Sequence, residues 1–410
     1  MTKTCKGNKL VTRNPDLAHL KAGYLFPEIA KRRREFAAAH PDAKIISLGV
    51  GDTTEPITPH ITAGLVAEAS GLGTRSGYKG YQDEGQAALR QAISDVFYGG
   101  RFNVDEIIIS DGSKSDIGRL QLLFGSNTPI AVQNPTYPVY VDGSVATGAA
   151  GEWDGNGYQG VTYLPCNAEN NFFPDVDLIP NNSLIYFCSP NNPTGAVATR
   201  EQMEKLVKAA IAKNCIIIFD AAYSEYIRDP KLPKTIYDIP GAESCAIEVN
   251  SFSKQIGFTG VRLGWTVAPK ELKYADGQPI NPDWHRIQVT VFNGASVLSQ
   301  AGGLAALTPE GLQEMRATTD YYLGNAKLIK ETLTGLGIES EGGENSPYVW
   351  AKFPGRDSWE VFGEILDKCQ IVTTPGAGFG SAGDGYVRFS AFGHREDVEE
   401  ACQRLKKQFG

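Results

Sequence analysis

Lys254 is the residue whose setting most demands chemistry. It lies in S-F-S-K-Q-I-G-F-T-G-V-R-L-G-W, Ser251 to Trp265, just after the apolar run Cys245 to Val249, which reads as a buried strand. A lysine suits the end of a buried strand poorly unless its amine has chemistry or a charge partner there. Ser251, Ser253 and Arg262 stand close by, and hydroxyl and guanidinium donors together suit an anion such as a phosphate. Other polar residues follow other apolar runs. Asp220 closes Cys215 to Phe219, with Tyr223 three residues on; Asn191-Asn192-Pro193-Thr194-Gly195 follows Leu184 to Cys188. Ser113 and Lys114 follow Ile107 to Ile109 at a helix start, where free backbone N–H groups and the dipole favour an anion. Singly, each has an ordinary explanation as a cap or a turn. Gathered at successive strand ends, where doubly wound sheets bind ligands, they point to one site.

The elements that must position these residues show in the hydrophobic rhythm. From Glu106 strands alternate with helices: Ile107 to Ile109, a helix from Ser113 to about Phe124, then strands Pro129 to Gln133 and Leu184 to Cys188. An amphipathic helix over Thr199 to Asn214 presents Met203, Leu206, Val207, Ala210 and Ile211 on one stripe and leads into the strand Cys215 to Phe219. Strands without polar alternation imply a parallel sheet covered on both faces, hence a doubly wound α/β domain. After about Ala268 come long helical patterns, around His285 to Leu307 and Leu312 to Leu336. A mixed tail follows, with strands Tyr348 to Phe353 and Tyr386 to Phe389 and helices Trp359 to Cys369 and Glu396 to Phe409. The expected organisation is an arm contributing to a small domain over 1–50, a large domain over 51–300, and a smaller α+β domain over 301–410. Before the large domain, Lys44 to Leu48 reads as a short strand, and Pro27 suits the first turn of a helix. Gly77 to Gly85 is too glycine-rich for regular structure.

Composition narrows the function classes. The chain has 410 residues and a net charge of −8, which argues against a general binder of nucleic acid or anionic membrane. Its apolar runs are only strand length, so no transmembrane helix is expected. Seven scattered cysteines without a C-x-x-C pair suggest reduced thiols rather than a disulfide framework or a zinc site, and no metal is expected. Gly378 to Gly383 spells G-x-G-x-x-G but precedes the strand-like Tyr386 to Phe389 rather than a helix, so it is no dinucleotide fingerprint.

The order Ser113-Lys114, Tyr137, N-N-P-T-G, D-A-A-Y and S-F-S-K-Q-I-G-F-T-G-V-R resembles the fold type I, class I/II aminotransferases, from about Tyr24 to Arg388. The resemblance implies pyridoxal 5'-phosphate as cofactor and a large doubly wound mixed-sheet domain with a smaller α+β domain. It makes Lys254 the covalent anchor and the acid–base group that moves the substrate's α-proton. Asp220 would hold the pyridine nitrogen protonated, Asn192 and Tyr223 would bond the ring oxygen, and Tyr137 would stack on the ring. Ser113, Lys114, Ser251, Ser253 and Arg262 would hold the phosphate. Tyr81 matches a tyrosine that reaches the phosphate from the other subunit, which implies a homodimer with shared sites, and Asn293 would be a further cofactor contact.

Three stretches narrow the resemblance: Ala22 to Ala30, Ser47 to Ile57 and Val291 to Ser296. With them the chain closely resembles the LL-diaminopimelate aminotransferases of plants, algae and some bacteria. Those enzymes exchange an amino group between LL-diaminopimelate with 2-oxoglutarate and tetrahydrodipicolinate with glutamate, in lysine biosynthesis. Carried over, Tyr24, Gly51, Lys114, Tyr137, Asn192, Asn293 and Arg388 would line the substrate site, with Arg388 clamping the α-carboxylate. Glu84 from the second subunit is a candidate for the distal ammonium, with a surface acid as its ordinary reading. The resemblance places such a protein in the plastid stroma of a plant or alga, otherwise in the cytoplasm, with small amino and 2-oxo acids as its partners. Two alternatives stay open: another fold type I aminotransferase, acting on aspartate or aromatic amino acids, and a non-catalytic regulator that keeps the cofactor.

Overall fold

The computed structural model describes residues 11–21 and 25–410. Helix α1, Leu25–Ala39, carries Pro27 in its first turn and is followed by a two-residue strand β1, Ile46–Ser47. Helices α2, Pro59–Gly71, and α3, Ala87–Tyr98, flank the glycine-rich loop. A seven-stranded sheet follows, built from β2, Ile107–Ser110; β3, Ile130–Asn134; β4, Val161–Pro165; β5, Leu184–Cys188; β6, Ile216–Asp220; β7, Ala246–Ser251; and β8, Gly264–Val267. Its order is β2-β8-β7-β6-β5-β3-β4, and only β8 runs antiparallel to its neighbours. The sheet is mixed, as the resemblance implies.

The uninterrupted apolar runs have a direct cause. Along β5, Ile185 and Phe187 enter one core and Leu184, Tyr186 and Cys188 the other, so both faces are buried. Helices α4, Ser113–Leu120, and α5, Val139–Ala146, cover one face, while α6, Arg200–Ala212, joins α3 on the other. Thr199 caps α6 in a reciprocal box with Gln202, which stops the helix one residue short of its expected start. The first helix of the site, α4, also ends early, tightening into a 3-10 turn over Gln121–Leu123.

One expected helix is two. The stretch from His285 to Leu307 divides into α7, Ile280–Val291, and α8, Val297–Ala306. Between them Asn293 and Gly294 have φ of 81° and 90°, a left-handed conformation that no helix continues through. A Cβ on Gly294 would fall within 1.9 Å of the Gln82 carbonyl oxygen, so the break is where the glycine-rich loop packs.

A long helix α9, Pro309–Gly335, leads into a four-stranded antiparallel sheet of order β12-β13-β10-β9. Its strands are β9, Ser340–Gly342; β10, Tyr348–Lys352; β12, Thr374–Pro375; and β13, Tyr386–Ser390, with β11, Ile371–Val372, pairing instead in parallel with β1. Helices α10, Ser358–Cys369, and α11, Arg395–Phe409, complete this region. Leu25, Ile29 and Phe36 of α1 pack with Trp350, Phe362 and Leu366, so the N-terminal segment is built into the C-terminal layer. Only two residues of the expected strand Lys44 to Leu48 pair, because β11 offers only two.

Candidate active site

One cavity of about 370 Å³ opens where the carboxyl ends of the large sheet meet the small sheet. Ser251 reaches it from the last position of β7, Ser253, Lys254 and Arg262 from the chain that follows, Asp220 and Tyr223 from the end of β6, and Asn192 from the loop after β5. Ser113 and Lys114 enter at the start of α4, Tyr137 from the turn after β3, Gly51 from the loop after β1, and Arg388 from the middle of β13. Twelve residues singled out in the sequence thus line one wall or another of a single space.

At one end the groups suit an anion. Arg262 donates from Nη1 to Ser253 Oγ at 3.3 Å and to the Thr259 carbonyl at 3.0 Å, and Ser253 N–H donates to Ser251 Oγ at 3.0 Å. Gly112, just before α4, has φ of 119°, and a Cβ there would fall 2.4 Å from Arg262 Nη2. Only glycine lets the guanidinium lie against the helix start, where the N–H groups of Ser113 and Lys114 have no helical acceptor. Among the described residues no carboxylate lies within ion-pair distance of Arg262, so the cup has an uncompensated positive charge.

At the other end lies a buried acid. Asp220 Oδ2 accepts from the Tyr140 hydroxyl at 2.8 Å and Oδ1 from the Ala222 N–H at 3.1 Å. Burial raises its pKa and those two bonds pull it back down. Each oxygen keeps a lone pair for a further donor, such as a protonated ring nitrogen. Tyr140 in turn stacks on Tyr186 at 5.1 Å and meets Tyr137 edge to face at 5.8 Å.

Between the two ends stands Lys254, whose Nζ donates to the Gly51 carbonyl oxygen. Burial lowers its pKa to about 8; Asp52 opposes the shift, while Arg262 and Arg388 add to it. A substantial fraction of this amine is therefore neutral near physiological pH, as a nucleophile or base requires. Arg388 is 1 % exposed and donates to Asn192 Oδ1 at 2.6 Å and to the Gly49 carbonyl at 2.7 Å. It too has no carboxylate partner among the described residues, and its Nε has no acceptor. A buried guanidinium in that state is a receptor for a carboxylate.

A phosphate cup, a buried acid for a ring nitrogen, an amine between them and an aromatic wall at Tyr137 make the donor set fit a phosphorylated pyridine aldehyde such as pyridoxal phosphate. Tyr24 lies outside the described residues. Three described residues that were singled out are not in this wall. Tyr81 is 83 % exposed, Asn293 is exposed in the α7–α8 break, and Glu84 is held by Arg90 at 3.0 Å and by His285 Nδ1 at 2.8 Å. The contact of Gly294 with Gln82 groups Tyr81, Glu84 and Asn293 in one surface region. Conversely Phe26, Asp52, Tyr140, Thr259 and Tyr348 line the cavity without having been singled out. Among the described residues no group of acids, histidines and cysteines could hold a metal ion, and no helix is long and apolar enough to cross a membrane.

Residues 43–405 match the family model described as aminotransferase class I and II. A probable LL-diaminopimelate aminotransferase, chloroplastic, of Oryza sativa subsp. japonica is 54% identical over 97% of this chain and 87% of its own length. An LL-diaminopimelate aminotransferase of Protochlamydia amoebophila is 51% identical over 97% of both chains. The solved structure of the L,L-diaminopimelate aminotransferase from Chlamydomonas reinhardtii superposes with a TM-score of 0.95 at 55% identity, covering 98% of this chain and 100% of that one. With its fold type I architecture and this site, the chain belongs to the class I and II aminotransferase family.

Proposed function

We propose that the protein is an LL-diaminopimelate aminotransferase that uses pyridoxal 5'-phosphate and moves an amino group between LL-diaminopimelate with 2-oxoglutarate and tetrahydrodipicolinate with glutamate. The observation that carries the reading is one cavity joining a lysine amine with pKa lowered to about 8 to a buried arginine that lacks a carboxylate. Identity above half with relatives of that name, over nearly the whole chain, supports the choice of substrate.

Each residue then has a task. Ser113, Lys114, Ser251, Ser253 and Arg262 hold the phosphate, and Asp220 keeps a proton on the pyridine nitrogen. Tyr223 and Asn192 face the ring oxygen, and Tyr137 stacks on the ring. The bound cofactor supplies an electron sink for the substrate's α-carbon. Lys254 Nζ, neutral in part at physiological pH, takes the α-proton and returns it. Arg388 binds the α-carboxylate of either substrate and so fixes the α-carbon beside Lys254, while Gly51 leaves room on the substrate side.

Tyr81, Glu84 and Asn293 belong to the same proposal through a second copy of the chain. Tyr81 and Glu84 stand on an exposed loop, with Tyr78, Val291 and Leu298 as further exposed apolar side chains. In a homodimer Tyr81 would reach the partner's phosphate and Glu84 the distal ammonium. The likeness to relatives named chloroplastic supports the plastid stroma if the source is a plant or alga; for any other source the proposed location is the cytoplasm. The division into 1–50, 51–300 and 301–410 is likewise proposed. A substrate panel on the holoprotein tests the function: amino transfer from LL-diaminopimelate supports it, and transfer only from aspartate or tyrosine overturns it.

A further inference from the structure

Tyr348 has no part in the scheme so far, yet three of its members converge on its side chain. Its hydroxyl lies 2.8 Å from the Tyr223 hydroxyl. The guanidinium carbon of Arg388 stands 4.3 Å from its ring centre. A Cβ on Gly51, whose carbonyl accepts from Lys254, would fall 2.4 Å from its hydroxyl oxygen.

The side chain is firmly held. Tyr348 opens β10 opposite Ser390, is 1 % exposed, and donates its N–H to Ser346 Oγ at 3.2 Å. Its ring meets Tyr223 edge to face at 5.2 Å and Phe392 at 6.0 Å. Gly195 and Gly342 let neighbouring backbone close on its carbonyl, where a Cβ would come to 2.5 and 2.4 Å.

Two hydroxyls 2.8 Å apart share one proton and leave the other free, so it matters which of them donates. Among the described residues the Tyr348 hydroxyl has Tyr223 as its one hydrogen-bond partner, whereas the Tyr223 hydroxyl also faces the cavity. If Tyr223 gives its proton to the ring oxygen, its own oxygen is left to accept from Tyr348, so Tyr348 donates to Tyr223 and the Tyr223 proton points into the cavity. Burial raises the pKa of both hydroxyls and the Arg388 charge lowers both. The Tyr348 ring offers its negative face to Arg388, whose N–H groups are fixed at their edges by Asn192 and Gly49.

We propose that Tyr348 is a positioning residue joining the two ends of the site: its ring sets the plane of the Arg388 carboxylate clamp, and its hydroxyl aims the Tyr223 proton at the cofactor's ring oxygen. The proposal rests on the assignment of Tyr223 and Arg388 made above.

Tyr348→Phe and Tyr348→Leu separate the two tasks. Three quantities are compared with the unmodified protein: the dissociation constant of pyridoxal phosphate from the apoprotein, the pH midpoint of the holoprotein's visible absorbance, and KM for the amino donor. Tyr348→Phe keeps the ring. Its absorbance midpoint rises because the ring oxygen loses a directed donor, cofactor binding weakens by about tenfold, and KM changes by less than about threefold. Tyr348→Leu loses the ring as well, and KM rises by about tenfold or more. An unmoved midpoint and cofactor affinity in Tyr348→Phe overturn the proposal, as does an equal rise of KM in both variants. If Tyr348→Leu does not fold, Tyr348→Phe alone decides. If the unmodified holoprotein transfers no amino group from LL-diaminopimelate, the substrate reading fails by itself, and the absorbance and affinity of Tyr348→Phe still decide the role of Tyr348.

Discussion

Arg388 reaches from the middle of β13 to donate a 2.6 Å hydrogen bond to the side-chain oxygen of Asn192, in the loop that closes β5. One bond thereby ties the small sheet to the carboxyl edge of the large one, at the point where substrate and cofactor would meet. Because Arg388 is buried without an acid, its charge is least costly when a substrate carboxylate is bound. Arg388→Lys retains the charge but loses the planar fork. We expect KM for both the amino donor and the oxo-acid acceptor to rise by about 30-fold or more, with kcat affected less. Steady-state kinetics with each substrate in turn checks this.

The lysine amine can be titrated directly in the apoprotein. Modification of Lys254 by an amine-selective reagent, read by mass spectrometry, should accelerate through a midpoint of about 8 rather than 10.5. Asp52 raises that pKa, so Asp52→Asn should move the midpoint lower still. A midpoint near 10.5 in the unmodified apoprotein would show that burial does not activate the amine.

Tyr140 should govern how Asp220 holds the cofactor. Its hydroxyl bond lowers the Asp220 pKa against the rise from burial, so Tyr140→Phe lets the carboxyl protonate more readily. An acid that is protonated pairs weakly with a protonated ring nitrogen. Loss of a bond to a charged group costs about 1.5–3 kcal/mol, and pyridoxal phosphate should dissociate at least about tenfold more readily. Equilibrium binding to the apoprotein measures it.

Far from the site, Glu248 should make stability depend on pH. It is 1 % exposed on β7 and accepts from Tyr98, Thr235 and the Ile236 N–H, yet burial outweighs these bonds and raises its pKa from 4.5 to about 7. Between those values the folded state binds more protons than the unfolded one, so stability falls as pH rises from 4.5 towards 7 and levels off above. Glu248→Gln should flatten that slope in urea unfolding followed at a series of pH values.

The sequence was most informative where physics leaves little choice. Strands such as Ile107–Ser110 and Leu184–Cys188 were visible because both faces are covered, which demands unbroken apolar residues. The polar residues ending them stood out against that background, which is why Asp220 and Lys254 could be singled out. β8 was missed: Gly264–Val267 is only four residues long and opens on a glycine that touches Gly112, so it resembles the end of a loop. The break at Asn293 was hidden because apolar spacing continues on both sides of it. Tyr140 and Tyr348 were unreadable for a different reason. An aromatic residue in apolar company looks like core, and the hydroxyl partners lie 80 and 125 residues away. For Glu84 the residues alone left a distal-ammonium contact and an ordinary surface acid equally open, because its bonds to Arg90 and His285 are set by the fold.

The central claim is tested most directly by mixing purified holoprotein with LL-diaminopimelate and 2-oxoglutarate and measuring glutamate, with Lys254→Ala alongside. The account predicts steady glutamate formation by the unmodified protein and none by the variant. No glutamate from LL-diaminopimelate, or full activity in Lys254→Ala, would contradict it.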